Sequence, residues 1–228
     1  MLLRDTADGL EVFMLRRNNA LVFAAGNYVF PGGRVDERDG GGLDGFMIAA
    51  VRECFEECGV LLATDATGTM IEDGHPALAE RLAVEHGDVD LRELVARHSL
   101  QLATDQLVFC AHWITPKGEP RRYDTRFFVM ASPPGQTWQH DDNEAVASQW
   151  IRPADGVAAY ERGEMRLMPP TIDRLRWLSG FGDVASALAD ARTVGTPPVI
   201  LPKGVFAEDG RLLQLLLPGD DGYDALPD

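Results

Sequence analysis

Residues 46–60 read Phe46-Met47-Ile48-Ala49-Ala50-Val51-Arg52-Glu53-Cys54-Phe55-Glu56-Glu57-Cys58-Gly59-Val60. At about 100° per residue, Ile48, Val51, Cys54, Phe55 and Cys58 share one arc of a helix, and Glu53, Glu56 and Glu57 share the opposite arc. Gly59 supplies the stop expected just past a helix end. The spacing therefore predicts a helix over 46–58 with an apolar face for a core and three carboxylates on its solvent side. Carboxylates at i, i+3 and i+4 repel, each adjacent pair costing roughly 0.2 to 0.5 kcal/mol when exposed. A divalent cation would convert that cost into binding, and oxygen donors suit Mg²⁺ or Mn²⁺. Arg52 lies beside the arc and can orient one carboxylate while limiting the repulsion. A solvated acidic helix face is the competing reading.

Outward from this helix, residues 1–4 and 10–15 read as strands joined by a turn over Asp5–Gly9. Tyr28–Pro31 is a short extended segment, and residues 34–45, rich in Gly and Asp, form a loop. Residues 76–97 read as one or two amphipathic helices opening on Pro76. Leu107–Ile114, Arg126–Ala131 and Ala145–Ile151 are strands rich in aromatic and branched residues. Thr171–Leu178 and Val184–Ala191 are helical, and Pro197–Leu217 is a punctuated tail with a hairpin. Strands and helices interleave without regular βαβ alternation, which predicts an α/β fold: a mixed sheet sandwiched by helices. The expected organisation is one domain over residues 1–192, with a helical insertion at about 73–99, followed by an extension over 193–228.

The 228 residues are 45% hydrophobic and carry 21 basic against 36 acidic side chains, a net charge of −15. That composition excludes a disordered chain. No apolar run approaches the roughly 18 residues of a membrane span. The charge argues against nucleic acid as a partner, which needs a basic footprint. An anionic small substrate is compatible with it, provided cations or local arginines reverse the sign inside the site. Cys54, Cys58 and Cys110 are odd in number and form no Cys-x-x-Cys pair, so a disulfide framework is not expected and they read as core residues of a reducing compartment. The first residues lack the order of a signal peptide and the last four match no address, so the cytoplasm is the expected location. The chain opens already inside a strand, which suggests that natural residues precede Met1 or that the start codon is assigned late.

Phe30-Pro31-Gly32-Gly33, followed by Arg52-Glu53-Cys54-Phe55-Glu56-Glu57-Cys58-Gly59-Val60, resembles the Nudix box, G-x5-E-x7-R-E-U-x-E-E-x-G-U. The second half matches at every defined position when Cys54 counts as the bulky apolar residue. The first half departs: Asp44 stands where the family has glutamate, and ten residues separate it from Gly33, which reads as a five-residue insertion. Arg121–Phe128 and Met168-Pro169-Pro170-Thr171 are similar to the Nudix subgroup that includes the mammalian peroxisomal coenzyme A diphosphatase, whose box is also interrupted. The resemblance runs from about residue 10 to 180. Of the motif that precedes the box in coenzyme A-cleaving members, Gly26-x3-Phe30-Pro31-Gly32-Gly33 and Arg17 match, while Val22 occupies the place of a second arginine.

The resemblance implies a Nudix-type α/β/α sandwich and metal-dependent hydrolysis of a nucleoside diphosphate linked to another moiety, coenzyme A or acyl-coenzyme A foremost. It implies Mg²⁺ or Mn²⁺ held by Glu53, Glu56 and Glu57 with the Gly33 carbonyl, and Arg52 as an orienter of these carboxylates. The general base is expected among Glu57, Glu53 and Glu144. Arg17, Arg34, Arg122 and Arg126, with Arg16, are candidates for phosphate contacts, because arginine grips phosphate oxygens in a fork. Tyr123, Phe127 and Trp150 could stack on a base, although alternating aromatics in strands also build cores. Homodimerisation is a family-level expectation. Two alternatives stay open: a diphosphatase for ADP-ribose or another nucleotide-sugar-type substrate, suggested by Pro76 sixteen residues after Val60, and a binding module without catalysis, whose expected loss of helix carboxylates is not seen.

Overall fold

In strand β2 (Gly9–Arg17), apolar residues run almost without interruption, and they divide by parity. Leu10, Val12 and Met14 enter one core while Phe13 and Leu15 enter another. Side chains alternate across a strand, so a strand apolar on both parities needs cover on both faces. The computed structural model describes residues 1–20, 24–117, 121–140, 144–207 and 211–226. It supplies that cover with a helix on one side and two helices on the other.

β1 (Leu2–Thr6) pairs antiparallel with β2, the turn closing at Gly9, whose φ of +108° suits a residue without Cβ. Val12 pairs with both Leu3 and Ile151, and Arg16 with both Tyr28 and Ala147. One edge of β2 is thus shared by β1 and the short β3 (Tyr28–Val29), and β8 (Ala145–Ile151) takes the other edge from Val12 to Arg17. β3 leads on to Gly32-Gly33, which meets Glu53 and Glu57 of the helix layer. Two further short strands, β4 (Ala63–Thr64) and β5 (Gln101–Leu102), pair with each other outside this sheet. β6 (Val108–Ile114) and β7 (Asp124–Ala131) pair antiparallel, and β7 runs parallel to β1. β9 (Val199–Ile200) adds a parallel edge beside β6, so the tail contributes to the main sheet, and β10 (Lys203–Phe206) with β11 (Leu212–Leu216) forms the expected hairpin.

Helix α1 (Gly42–Cys58) lays Val51, Cys54, Phe55 and Cys58 against Phe13 and Leu15. It ends at Gly59 in the left-handed conformation, φ 72°, whose amide donates to the Phe55 carbonyl at 2.9 Å. The insertion follows as a 3₁₀ turn over Pro76–Glu80, α2 (Arg81–Glu85) and α3 (Leu91–Arg97), with Asp90 capping the amides of Arg92 and Glu93. Its Ala77, Val84, Leu91 and Leu94 join the core on the α1 side. On the opposite face, α5 (Pro169–Leu178) and α6 (Val184–Thr193) bury Ile172, Leu175, Leu178, Val184 and Ala187 against Leu10, Val12 and Met14, and α4 (Pro153–Glu161) packs on α5. The architecture is the α/β/α sandwich with a mixed sheet.

Three local expectations are corrected. The segment 34–45 is not all loop, because a 3₁₀ turn occupies Glu37–Asp39 and α1 starts at Gly42, four residues before Phe46. Gly45 lies where a Cβ would meet the Gly40 carbonyl, so glycine here serves close packing of the chain on itself. α4 is absent from the periodicity because Gly156 interrupts it, yet that glycine lets α4 approach Leu175. Pro76 sits at the first position of its turn after the cap residue His75, a sufficient local role. Val22 and Asp141-Asp142-Asn143 lie outside the described residues.

All three cysteines are free and buried, and among the described residues no helix is long and apolar enough to cross a membrane. Phe55 is 0% exposed at the centre of the α1 core, whereas Leu82 is 62% exposed. Phe55→Ala should therefore cost about 3 to 5 kcal/mol of unfolding free energy in urea titration, and Leu82→Ala should stay within about 0.5 kcal/mol.

Candidate active site

Arg52 is 5% exposed and Asp39 2%, so the site is built on a buried ion pair. Arg52 Nε and Nη2 donate to Asp39 Oδ1 and Oδ2 at 3.0 and 2.9 Å, a fork on a carboxylate. Nη2 also donates to the Arg34 carbonyl at 2.7 Å. Nη1 donates to Glu53 Oε1 at 3.0 Å and to Glu56 Oε2 at 2.8 Å. One side chain thus orients two helix carboxylates and fastens α1 to the segment after Gly33. Burial alone would lower its pKa, but the bond to Asp39 and the charges of Glu53 and Glu56 outweigh that and raise it, so the guanidinium stays charged.

Asp39 answers the box spacing that Asp44 does not. It stands six positions after Gly33, as G-x5-E requires, so the extra residues lie between the acid and Arg52. Asp44 is an exposed residue in the first turn of α1. The 3₁₀ turn aims Asp39 inward, and the Asp36 amide donates to its Oδ2 at 2.7 Å. The signal was the glycine spacing, hidden because Asp44 has the correct distance to Arg52.

The acidic arc is not solvated. Glu57 is 7% exposed and its Oε2 accepts from the Gly32 amide at 2.9 Å. Burial raises its pKa to about 8, against the Gly32 bond, with help from Glu53 and Glu144. Burial also raises Glu56 to about 7, against Arg52 and reinforced by Glu53. Glu53 rises for the same reason, with Arg52 opposing. Gly33 closes the site from the other side, since a Cβ there would collide with the Glu53 carboxylate. Glu144 is held at the mouth by Arg17 Nη2, 3.4 Å from its Oε2, and its backbone carbonyl accepts from the Asn18 amide at 2.8 Å.

Arg52, Glu53, Glu56, Glu57, Gly33, Glu144 and Arg17 therefore come together. Arg126 pairs with Asp124 at 2.9 Å and lies 3.8 Å from the Phe46 ring, and Phe46 precedes Glu53 by seven positions on the same helical face. Arg122 is exposed and donates to the Thr115 carbonyl at 2.9 Å, and Arg34 is exposed, its carbonyl accepting from Arg52. Arg16 is exposed. Trp150 packs between Phe13 and Trp138, and Phe127 meets Phe30 edge-on.

The donor set suits a hard cation: oxygen only, carboxylates crowded out of water, and a glycine backbone pressed against one of them. Arg52 binds Oε1 of Glu53 and Oε2 of Glu56, which leaves one oxygen of each for another partner. Among the described residues no three acidic, histidine or cysteine side chains are already converged as ion ligands, because Glu53 and Glu56 turn to Arg52 and Glu57 to Gly32. Binding an ion would redirect these contacts.

Removing Asp39 leaves a buried cation without its principal partner. Asp39→Ala should cost about 3 to 5 kcal/mol in urea unfolding, and Asp44→Ala should stay within about 0.5 kcal/mol. A pH effect follows from Glu57. Between its ordinary value of 4.5 and about 8, the folded state keeps a proton that the unfolded chain has released. Stability in EDTA should therefore fall as pH rises from 5 to 8. Glu57→Gln should flatten that decline in the urea midpoint.

The family described as the NUDT19 Nudix domain matches residues 44–178. The chain is 33% identical over 173 residues to the putative nudix hydrolase 7 of Caenorhabditis elegans, covering 76% of this chain and 57% of that protein. It is 31% identical over 200 residues to the human acyl-coenzyme A diphosphatase NUDT19, covering 78% and 50%, and 32% identical over 210 residues to the Gallus gallus protein of that name, covering 80% and 53%. The chain thus spans about half the length of these curated relatives. A NUDIX hydrolase crystal structure from Alicyclobacillus acidocaldarius aligns with a TM-score of 0.75 at 25% identity, over 82% of this chain and 92% of that one. The chain belongs to the Nudix hydrolase superfamily, in the group of the NUDT19 Nudix domain.

Proposed function

We propose that this protein is a pyrophosphohydrolase that cleaves the diphosphate of coenzyme A or an acyl-coenzyme A, with Mg²⁺ or Mn²⁺ held by Glu53, Glu56, Glu57 and the Gly33 carbonyl. The observation that carries the reading is Arg52 holding the half-buried Glu53 and Glu56 beside the buried Glu57, which is bonded to the Gly32 amide, with Gly33 packed so close to Glu53 that it admits no side chain. The substrate class is supported by the acyl-coenzyme A diphosphatases among the similar proteins and by Arg17 at the site mouth. When bound, a divalent cation would neutralise the diphosphate and lower the pKa of the attacking water.

The chain's own residues do the rest. Arg52 engages one oxygen each of Glu53 and Glu56 and leaves the other of each for a partner. The Gly32 amide fixes Glu57 through one oxygen and leaves the other available. Glu144 is the acid at the mouth that could take the proton of the water, with Glu57 and Glu53 as the other candidates. Arg17 pairs with Glu144 and could turn to a phosphate oxygen, since its Nε is buried without a hydrogen-bond partner among the described residues. Water adds to one phosphorus and the bridging P–O bond breaks, giving 4′-phosphopantetheine, or its acylated form, and 3′,5′-ADP.

The test is product analysis by mass spectrometry on coenzyme A, an acyl-coenzyme A, ADP-ribose, NADH and a dinucleoside polyphosphate with Mg²⁺ or Mn²⁺. The expected result is release of the two phosphomonoesters from the coenzyme A compounds, abolished by EDTA. Glu56→Gln and Glu57→Gln should each lower kcat by about 100-fold or more while the circular dichroism spectrum is kept. Cleavage of ADP-ribose alone would overturn the substrate assignment, and full turnover by both variants would overturn the role of the helix.

A further inference from the structure

The insertion reaches the site through two arginines, and both grip backbone carbonyls. Arg81, at the start of α2, donates through Nε and Nη2 to the Glu56 carbonyl at 3.0 and 2.8 Å, and through Nη1 to the Gln139 carbonyl at 3.1 Å. Arg92, in the first turn of α3, donates through Nη2 to the Asp39 carbonyl at 2.7 Å. The apolar residues of the insertion explain why it docks on α1. They do not explain why two guanidinium groups converge on the backbone of residues that carry the carboxylates.

The need for Arg81 follows from α1 itself. Its last two turns carry Glu53, Glu56 and Glu57, and no basic residue lies in its last turn. Acids at a helix C-terminus oppose the macrodipole, and the final carbonyls have no partner within the helix. Arg81 supplies the missing cation from outside and closes on the Glu56 carbonyl. Gly59 allows this approach, since a Cβ there would stand 3.1 Å from Arg81 Nη1.

The third bond of Arg81 links the helix to the segment that precedes Glu144. The Gln139 amide donates to the Cys58 carbonyl at 3.0 Å, so Gln139 is held at its amide by the helix end and at its carbonyl by Arg81. Further back, the buried Gln136 side chain bonds Leu61 and Ile71, and Trp138 lies 4.6 Å from Phe13. One guanidinium thus ties the Glu56-Glu57 turn to the segment that ends at His140. Arg92 does the same for Asp39, and through it for Arg52.

We propose that the helical insertion is a positioning element of the carboxylate site, acting through Arg81 and secondarily through Arg92. The inference rests on the diphosphatase reading only for what the aligned carboxylates accomplish. The contacts themselves are independent of it.

The experiment compares wild type, Arg81→Gln, Arg81→Lys, Arg92→Gln and, as a control within the insertion, Arg97→Gln, whose ion pairs with Glu80 and Glu93 stay inside it. Hydrogen exchange is measured on metal-free protein. Arg81→Gln should speed exchange in residues 55–60 and 136–140 together, and Arg97→Gln should leave both unchanged. Mn²⁺ affinity, read from free Mn²⁺ by electron paramagnetic resonance, should weaken about tenfold or more in Arg81→Gln, the scale of lost outer contacts at metal sites. The same variant should lower kcat about tenfold with little change in KM, and Arg81→Lys should recover part of both losses. Arg92→Gln should weaken Mn²⁺ binding to a smaller degree without loosening residues 136–140.

A folded Arg81→Gln with wild-type exchange, or one matched by Arg97→Gln in every loss, overturns the proposal. Wild-type protein that binds no Mn²⁺ or cleaves none of the diphosphates would instead sink the diphosphatase reading, while the exchange comparison would still decide whether Arg81 couples the two segments.

Discussion

A guanidinium in the interior is tolerable only if its charge and its donors are met, and that constraint organises this protein around Arg52. Two donors go to Asp39, and the others reach Glu53, Glu56 and the Arg34 carbonyl. For these partners to be present at once, α1 must lie along the segment after Gly33 at one depth and one rotation. The 3₁₀ turn at Glu37–Asp39 exists to bring an acid inward at that point. Breaking a buried pair from one side strands the other charge, which makes the arrangement all or nothing. The same bonds turn the helix acids toward one another, so a structural need and a chemical arrangement share one residue.

The carboxylates carry the cost. For acids in the last six positions of a helix, burial pushes Glu56 and Glu57 toward protonation, and repulsion from Glu53 adds to it. A fold keeps such a cluster only with support from outside the helix. Here the support comes from the Gly32 amide, from Arg52 and, at the carbonyl end, from Arg81. The helix contributes spacing, and its neighbours contribute orientation.

Much of this was legible in the sequence because it rests on periodicity. The arc Val51, Cys54, Phe55, Cys58, the stop at Gly59 and the near-continuous apolar run of β2 each have one good structural solution, and the structure adopts it. The acidic arc was legible in place but not in environment, since a helical wheel shows opposite faces without showing what covers them. Asp44 masks Asp39 in the sequence, because extra residues can be inserted on either side of an acid and spacing counted back from Arg52 favours the wrong one. The start of α1 and the whole of α4 were lost to glycines that mark close packing in three dimensions, at Gly45 against Gly40 and at Gly156 against Leu175. Arg81 and Arg92 left no trace in the sequence, because a side chain that bonds a distant carbonyl imposes no pattern on its neighbours.

The pairing of β9 beside β6 has a consequence for how the chain reaches this state. His112 meets Val199 in a parallel ladder, across 87 positions of chain, and β1 meets β7 over a still longer interval, Leu2 with Met130. Contacts so distant in sequence form late and slowly, because loop closure must come before the ladder rewards it. During synthesis the edge of β6 stands open until residues near 200 have emerged, and an open edge is a template for another chain. The short strand at Val199–Ile200 is thus the cover of the β6 edge, and it can take its place only after translation has reached it.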